Sequence, residues 1–243
     1  MKIIPLSEGA FTIDKTKVFV PFDETKDQLS ARPVGSLLVE VQPFLIITDK
    51  DMLLMDAGLG FTNESGVPQI HQLLMDQGIN PSEITKVLMS HLHKDHSGGV
   101  GIPETNKLSF PLARYYVQRQ ELEFALSDKA GSNIKEDIWC LKDSSQVELL
   151  DGDGTIDGYI GYMQTSAHSR YHQVFKITEK EKIVFFGGDD APQFQQMKSK
   201  YVAKYDFDGK KCMQLRQQWF EQGTREHWTF LFYHDTKSAI VHL

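Results

Sequence analysis

Residues 91–96 of the 243-residue chain read His91-Leu92-His93-Lys94-Asp95-His96. This segment places three imidazoles and one carboxylate in less than two helical turns. His91 and His93 can point the same way from an extended or looped segment, because residues two apart share a face. Asp95 and His96 are neighbours that diverge, so they suit a second metal ion beside the first. The pattern predicts a metal centre, since borderline divalent ions prefer imidazole together with carboxylate.

The flanking segments place this cluster at the carboxyl end of a strand. Residues 85–90 predict a short apolar strand, and the loop Ser97-Gly98-Gly99 follows the cluster. For any single histidine, a solvated or hydrogen-bonded side chain is the more common role. As a unit capped by two glycines, however, the cluster favours metal binding. Such a site also needs ligands from elsewhere in the chain.

Four further motifs make the chain resemble the metallo-β-lactamase superfamily. The dinuclear hydrolases of this family carry His-x-His-x-Asp-His, then a distant His, an Asp and a last His. The matching segments are Leu53-Leu54-Met55-Asp56-Ala57-Gly58, Thr165-Ser166-Ala167-His168-Ser169, Gly187-Gly188-Asp189-Asp190-Ala191-Pro192 and Phe232-Tyr233-His234-Asp235. All the motifs occur in family order. The resemblance implies an α/β fold, namely a four-layer αββα sandwich of two mixed β-sheets flanked by helices.

Carried over residue by residue, the resemblance implies two divalent metal ions, with zinc as the expected metal. The ligands would be His91, His93 and His168 for the first ion, and Asp95, His96 and His234 for the second. Asp189 would bridge the ions because it follows the glycine directly, as in the family, and Asp190 is the alternative bridge. Asp56 would brace the site without binding metal, although an Asp that caps a turn is nearly as plausible.

The resemblance also implies a hydrolytic reaction on a small-molecule substrate. A metal-bridging hydroxide would attack a lactone or ester carbonyl, or a phosphotriester, and Asp95 could relay a proton. The motifs look most like the lactonase and organophosphate-hydrolase branch of the family. The best-known acyl-homoserine lactonases place a Tyr three residues after the bridging Asp, where this chain has Pro192. Tyr205 or Tyr233 could replace it as a donor to the oxyanion, although a packed aromatic is the simpler role for either.

Other functions on the same fold remain open. A thiolester hydrolase of the glyoxalase type would use the same metal site, so the sequence alone does not separate it from a lactonase. A catalytically silent metal-binding scaffold is the alternative outside the enzymes, but such proteins usually lack ligands. A sulfur dioxygenase dispenses with the ligands of the second ion, and a flavodiiron oxidoreductase normally has Glu where this chain has His93. Both oxidoreductase interpretations are therefore weaker.

The overall composition limits the partners and the location of the protein. The net charge is −7 and no Lys/Arg run occurs, which argues against nucleic acid as a partner. No apolar run approaches membrane-spanning length, and the first residues lack a secretory signal, so we expect a cytoplasmic protein with no membrane partner. A homodimer is left open. Cys140 and Cys212 are isolated, and we expect buried or partly buried thiols.

Residues 1–243 predict one metallo-β-lactamase-like domain, since no repeat, low-complexity tract or linker divides them. Strands are expected at 36–41, 44–48, 52–55, 113–118, 171–177 and 182–186, and helices at 67–77 and 208–222, with Gly78 as a cap. A last strand, 228–233, would deliver His234. We expect 151–154 to form a hairpin or loop turn, and 127–145 to be a variable insertion of the kind that lines a substrate entrance. His71 is expected at the surface, and His172 could either support the site or pack in the core.

Overall fold

The computed structural model describes residues 1–243, which form seventeen strands and six α-helices. The strands are Lys2–Pro5 (β1), Gly9–Ile13 (β2), Val20–Pro21 (β3), Leu37–Val41 (β4), Phe44–Ile47 (β5), Met52–Met55 (β6), Lys86–Leu88 (β7), Gly101–Ile102 (β8), Lys107–Leu108 (β9), Arg114–Gln118 (β10), Val147–Leu150 (β11), Gly154–Ile156 (β12), Ile160–Gln164 (β13), Gln173–Glu179 (β14), Lys182–Phe186 (β15), Thr229–Leu231 (β16) and Ile240–His242 (β17). The α-helices are Gln69–Asp76 (α1), Lys94–Ser97 (α2), Arg119–Ala125 (α3), Lys135–Ile138 (α4), Phe194–Met197 (α5) and Gly209–Glu226 (α6). Short 3-10 helices lie at Leu29–Ala31, Pro81–Glu83, Trp139–Leu141 and Gly188–Asp190.

Most strands belong to two six-stranded sheets, both of which are mixed. The first has the order β1-β5-β6-β7-β10-β11, with parallel pairing from β6 to β11. The second has the order β12-β13-β14-β15-β16-β17, in which only β15 and β16 are parallel. Smaller sheets, β3-β2-β4 and β8-β9, complete the structure. The prediction of two mixed β-sheets is confirmed.

The two sheets stack because alternate residues of their strands point to opposite sides. Leu45 and Leu54 pack outward in one apolar cluster with Ile70 and Leu74 of α1. Their chain neighbours face the second sheet, in a cluster that contains Phe44, Ile46, Leu53, Met55, Phe175, Val184, Phe186 and Leu231. Trp219 of α6 covers the other side of the second sheet. The layers therefore run helix, sheet, sheet, helix, as the αββα sandwich requires.

Capping interactions fix the ends of the longer helices. The Asp208 carboxylate accepts a hydrogen bond from the Lys211 amide at 3.0 Å and starts α6. Gly78 has a φ of +76° directly after α1, which is the left-handed conformation that favours glycine at a helix end. The predicted cap at Gly78 is confirmed. The expected strands of both sheets also occur, within a residue or two of their predicted bounds.

Some local predictions were wrong. The segment 228–233 is not the last strand, because β17 returns antiparallel to β16. Strands β12 and β13 were not predicted. Residues 151–153 form a loop that crosses from one sheet to the other and Gly154 begins β12, so the loop alternative for 151–154 is confirmed and the hairpin alternative is wrong. His71 is half-buried, because its ring packs edge-on against Phe110 at 5.4 Å.

Two remaining expectations concern the thiols and the membrane. Cys140 and Cys212 are both free and buried, as expected. No helix of the structure combines the length and the apolar character that crossing a membrane would require.

Candidate metal centre

The segment that carries the histidine cluster lies where β7 ends, at the edge where β6 and β10 also end. His91 and His93 are on the loop after β7, and the short helix α2 begins directly after His93. The helical turn presents Asp95 and His96 in a different direction from the two loop histidines. These two side chains converge, since Asp95 Oδ2 lies 3.6 Å from His96 Nε2, so the prediction that the two neighbours diverge is wrong.

Two glycines allow this segment to lie against the loop after β6. A Cβ atom on Gly99 would lie 2.1 Å from the carbonyl oxygen of Ala57, and one on Gly98 would lie 2.2 Å from that of Leu59. Neither position can therefore accept a side chain without moving backbone. This close approach brings Asp56 next to the cluster.

The predicted ligands form two neighbouring groups. In each group the candidate ligand atoms lie within 4.8 Å of one another. The first group consists of His91, His93, His168 and Asp189, and the second group consists of Asp95, His96 and His234. The structure thus brings together all seven residues that the sequence singled out as ligands.

Asp189 contacts both groups. Its Oδ2 lies 3.2 Å from His168 Nε2 in the first group. Its Oδ1 lies 3.2 Å from His96 Nε2 and 3.0 Å from His234 Nε2 in the second group. By contrast, Asp95 Oδ2 lies 3.4 Å from His234 Nε2 and 3.6 Å from His96 Nε2, and contacts the second group alone.

Asp190 points away from the groups and supports them from behind. Its Oδ1 accepts a hydrogen bond from the His168 amide at 2.7 Å, and its Oδ2 lies 3.0 Å from His172 Nδ1. The other nitrogen of His172, Nε2, accepts from the Asp189 amide at 3.2 Å. His172 therefore orients the backbone of Asp189, which is a more specific role than core packing.

Outer partners fix the orientation of four imidazoles, a common feature of metal-binding histidines. Each Nδ1 has a nearby oxygen. The pairs are His91 with Ser90 Oγ at 3.0 Å, His96 with Asp56 Oδ2 at 2.7 Å, His168 with Asp206 Oδ1 at 2.9 Å, and His234 with the Glu40 carbonyl at 2.7 Å. These partners accept the Nδ1 proton, so each Nε2 is directed to the centre and offers a lone pair there once it is deprotonated. His93 differs, since its Nδ1 lies 3.3 Å from His168 Nε2.

Asp56 contributes to the centre only as the outer partner of His96. It is fully buried with a φ of +56°, a conformation that non-glycine residues adopt infrequently. Its carboxylate accepts from the Ser90 amide and from the Ser90 hydroxyl, both at 2.7 Å, besides contacting His96. The position matches the bracing role that the family resemblance implied.

Unpaired polar atoms indicate what the centre is built to hold. His91 Nε2 is buried without a hydrogen bond, and His96 Nε2 and Asp189 Oδ1 are buried and lie 3.2 Å apart in a geometry that forms none. Buried polar atoms without a partner are costly and therefore rare in folded proteins. These three belong to two adjacent groups of imidazole and carboxylate, which is the ligand chemistry of zinc and similar ions. The residues present thus fit a pair of divalent metal ions.

The charges in the centre depend on Asp189. Burial lowers the pKa of His91 and His93 well below the usual range, so both are neutral at neutral pH. Burial acts in the same direction on His96, but the carboxylates of Asp189 and Asp95 outweigh it and raise the pKa of His96. Burial likewise opposes charge on His168 and His234, yet Asp189 raises their pKa as well. Without metal, protons on His96, His168 and His234 balance the negative charge of Asp189.

The two tyrosines considered as oxyanion donors differ in accessibility. The Tyr233 hydroxyl is buried and donates to the Asp95 carbonyl at 2.7 Å, while its ring stacks on His96. It is therefore committed to supporting the second group. Tyr205 is 48% exposed, and its ring centroid lies 6.2 Å from that of His168. Tyr205 alone remains in a position to contact a substrate.

The segment 127–145, expected at the entrance, lies against the loop that carries the histidines. The Lys94 amide donates to the Ser132 carbonyl at 3.1 Å, and Asn133 Nδ2 donates to the Leu92 carbonyl. Lys17 Nζ in turn donates to Ser132 Oγ at 2.7 Å, which connects the N-terminal loop to the same place. Residues 131–133 are thus held between the two loops.

Asp206 is a residue of the centre that the sequence did not reveal. It lies in the segment just before α6 and contacts His168, which is 38 residues away along the chain. A polar residue between Tyr205 and Phe207 could have been noticed, since the aromatic neighbours indicate partial burial. No spacing, however, connected it with His168.

Comparisons with known proteins agree with this architecture. Residues 38–193 match the family described as the metallo-beta-lactamase superfamily. The chain belongs to this superfamily. A probable metal-dependent hydrolase from Staphylococcus aureus has a similar solved structure, with a TM-score of 0.78 and 21% identity, covering 99% of this chain and 91% of that chain.

Two lactonases are also similar to the chain. An N-acyl homoserine lactonase of Rhizobium johnstonii is 32% identical over 111 residues, which are 41% of this chain and 38% of that protein. The match thus spans little more than a third of the relative's length. A dizinc quorum-quenching lactonase, solved with the product N-hexanoyl-L-homoserine, superimposes with a TM-score of 0.73 and 17% identity over 98% of this chain and 88% of that chain.

Proposed function

We propose that the chain is a hydrolase that depends on two divalent metal ions, with zinc as the expected metal. The observation that carries the proposal is the position of Asp189, whose two oxygens contact separate groups of histidines. The first ion would be held by His91, His93 and His168, the second by Asp95, His96 and His234, and Asp189 would bridge them. Asp56 would brace His96 through Nδ1.

The whole of residues 1–243 would serve this one site as a single domain. The apolar cluster between the sheets contains residues of β2 and β4 near the start of the chain and of β16 near its end. The ligands come from both sheets, since His91 follows β7 and His234 follows β16. Separating the two halves would therefore divide the metal site as well as the core.

When bound, a pair of zinc ions would supply a hydroxide at neutral pH and would polarise the carbonyl group whose carbon is attacked. The protein residues prepare this chemistry by fixing the ligands in advance. Four imidazoles are oriented through Nδ1, and His172 with Asp190 holds the bridging carboxylate in place. We assign the proton transfer to Asp95. Its contacts with imidazoles are longer than those of Asp189, so its carboxylate is held less tightly and is freer to accept a proton.

A lactone or related ester is the proposed substrate. Two named relatives are lactonases, and Tyr205, which is 48% exposed, lies with its ring centroid 6.2 Å from that of His168 in the first group. Burial raises the pKa of Tyr205, so its hydroxyl keeps its proton at neutral pH and can donate to a developing oxyanion. Because Pro192 stands where the best-known lactonases have a Tyr, Tyr205 is the residue we assign to this role.

Metal content is the first test. Elemental analysis of protein purified without added metal or chelator is expected to give close to two divalent ions per chain, and a His93→Ala variant should give fewer. Lactones, esters, thiolesters and phosphotriesters are then assayed with both proteins. Hydrolysis of lactones by the unsubstituted protein (the parent) and not by the His93→Ala variant supports the proposal. Faster turnover of thiolesters would favour a glyoxalase-type enzyme, and metal binding without any hydrolysis would indicate a scaffold.

A further inference from the structure

A buried carboxyl group outside both ligand groups contacts the loop that carries the first two histidines. Glu121, on α3, is only 2% exposed. Its Oε1 accepts a hydrogen bond from the Leu92 amide at 2.9 Å. Leu92 lies between His91 and His93, so this bond acts on the peptide that sets the relative positions of the two imidazoles.

Leu92 is also held through its backbone carbonyl. Ser97 Oγ donates to the Leu92 carbonyl at 3.2 Å, and Asn133 Nδ2 donates to the same oxygen. The side chain of Leu92 is fully buried among the apolar residues beneath the loop. Both polar groups of the Leu92 backbone thus have side-chain partners, of which Glu121 is the only one that can be charged.

The second oxygen of Glu121 is buried without a hydrogen bond. Burial raises the pKa of Glu121, and the hydrogen bond from the Leu92 amide acts against that rise. The Leu92 amide is therefore the one partner that the geometry gives this carboxyl group.

We propose that Glu121 is a positioning residue for the loop that carries the first two histidines of the first group. It holds His91 and His93 through the Leu92 amide. The inference rests on the proposed function, because it assigns Glu121 to the geometry of a metal site. A residue that merely filled space here would be replaceable by an apolar side chain, since burying an unpaired carboxyl group is costly.

The experiment measures zinc affinity and thermal unfolding of the metal-free full chain. Zinc is titrated in competition with a chromophoric chelator for the parent, Glu121→Leu and Glu121→Gln. Glu123→Leu is the matched control, because Glu123 is exposed on the same helix. Each substitution is repeated together with His234→Ala, which removes a ligand of the second group and leaves the first group to bind the ion.

Glu121→Leu is expected to weaken zinc binding by the first group about ten- to a hundredfold, the usual effect of losing an outer support of a metal ligand. The unfolding temperature should change little, because removing a buried carboxyl group offsets the loss of a partner for the Leu92 amide. Glu121→Gln keeps an oxygen for the Leu92 amide and should therefore retain more of the zinc affinity than Glu121→Leu. If the Leu variant does not fold, the zinc affinity of the Gln variant alone tests the positioning role. The control should bind zinc as the parent does.

Parent-like zinc affinity in both Glu121 variants would overturn the positioning role while leaving the proposed function intact. Equal losses in the Leu and Gln variants, accompanied by a lower unfolding temperature, would also overturn it, because they indicate a general structural effect. A parent that binds no zinc would refute the proposed function, and the positioning role with it.

Discussion

Removing the charge of Asp206 is expected to weaken zinc binding by the first group. Asp206 Oδ1 lies 2.9 Å from His168 Nδ1, and the Asp206 side chain is 1% exposed. The carboxylate holds the imidazole in the tautomer that directs Nε2 to the centre. Asp206→Asn keeps the shape and an oxygen that can accept, but the amide is neutral. The substitution therefore isolates the effect of the charge.

The size of the effect follows from the contact. A buried hydrogen bond to a charged group contributes about 1.5–3 kcal/mol, and about 1.4 kcal/mol corresponds to a tenfold change in affinity. The expected loss is thus about ten- to a hundredfold. Losses of similar size accompany substitution of the carboxylate partners of zinc-binding histidines in general. Asp206→Ala, which also removes the oxygen, should lose more than Asp206→Asn.

Competition with a chromophoric chelator measures this loss directly. Asp143→Asn is the control, because Asp143 is exposed and forms no ion pair. Lactone hydrolysis at saturating zinc should recover in Asp206→Asn, since the excess ion compensates for the weaker site. Zinc affinity within about twofold of the parent in both Asp206 variants would refute the reasoning, because the carboxylate would then have no influence on His168.

Three further outcomes follow from the geometry. Asp189→Ala should abolish hydrolysis and reduce bound zinc while circular dichroism shows an intact fold; undiminished turnover would contradict the assignment. Gly99→Ala should lower the free energy of unfolding by about 1–3 kcal/mol or more in thermal unfolding, because its Cβ would lie 2.1 Å from the Ala57 oxygen. The control Gly161→Ala should leave stability unchanged, because its Cβ would have no neighbour nearer than 3.6 Å. Zinc affinity should fall as the pH falls through the raised pKa of His96, beginning above 6.5, because protons compete for Nε2. An affinity that is constant between about pH 5 and 9 would show that this histidine is not a ligand.

Much of the fold and the grouping of the candidate ligands could be predicted because the relevant signals are local. Strands β5 and β6 are short apolar runs between turn residues, and they are buried on both faces as such runs predict. His91, His93, Asp95 and His96 occur in a single six-residue segment, so their proximity required no knowledge of the fold. The order of the remaining motifs supplied the other three candidate ligands.

The residues that support the ligands could not be predicted, because their contacts depend on how distant segments pack. Asp206 reaches His168 only after α6 has docked on the second sheet, and Glu121 reaches Leu92 only after α3 has packed below the loop. Neither residue has a periodicity or a neighbouring motif that marks it. The same reason explains the half-buried position of His71, which depends on Phe110 approaching from another part of the chain.

The choice between Asp189 and Asp190 shows what the structure adds to a motif. Both carboxylates follow the same pair of glycines, and sequence order alone favoured Asp189. In the structure, the 3-10 turn at 188–190 directs the first carboxylate to the histidines and the second one behind them. Arg216, buried in α6, donates to the Asp190 carbonyl at 2.9 Å and holds this turn.

The charge distribution around the centre favours metal ions over a purely structural role. Asp95 and Asp189 lie among the ligands, and Asp56, Asp190 and Asp206 lie directly behind them with side chains almost fully buried. Like charges gathered in a buried region repel, by about 4 kcal/mol for two unit charges about 4 Å apart at an effective dielectric constant of about 20. Without metal, protons on the histidines offer the main compensation, and they are lost as the pH rises. Two divalent ions would compensate the carboxylates at any neutral pH, which explains why so many acidic side chains are tolerated in one buried region.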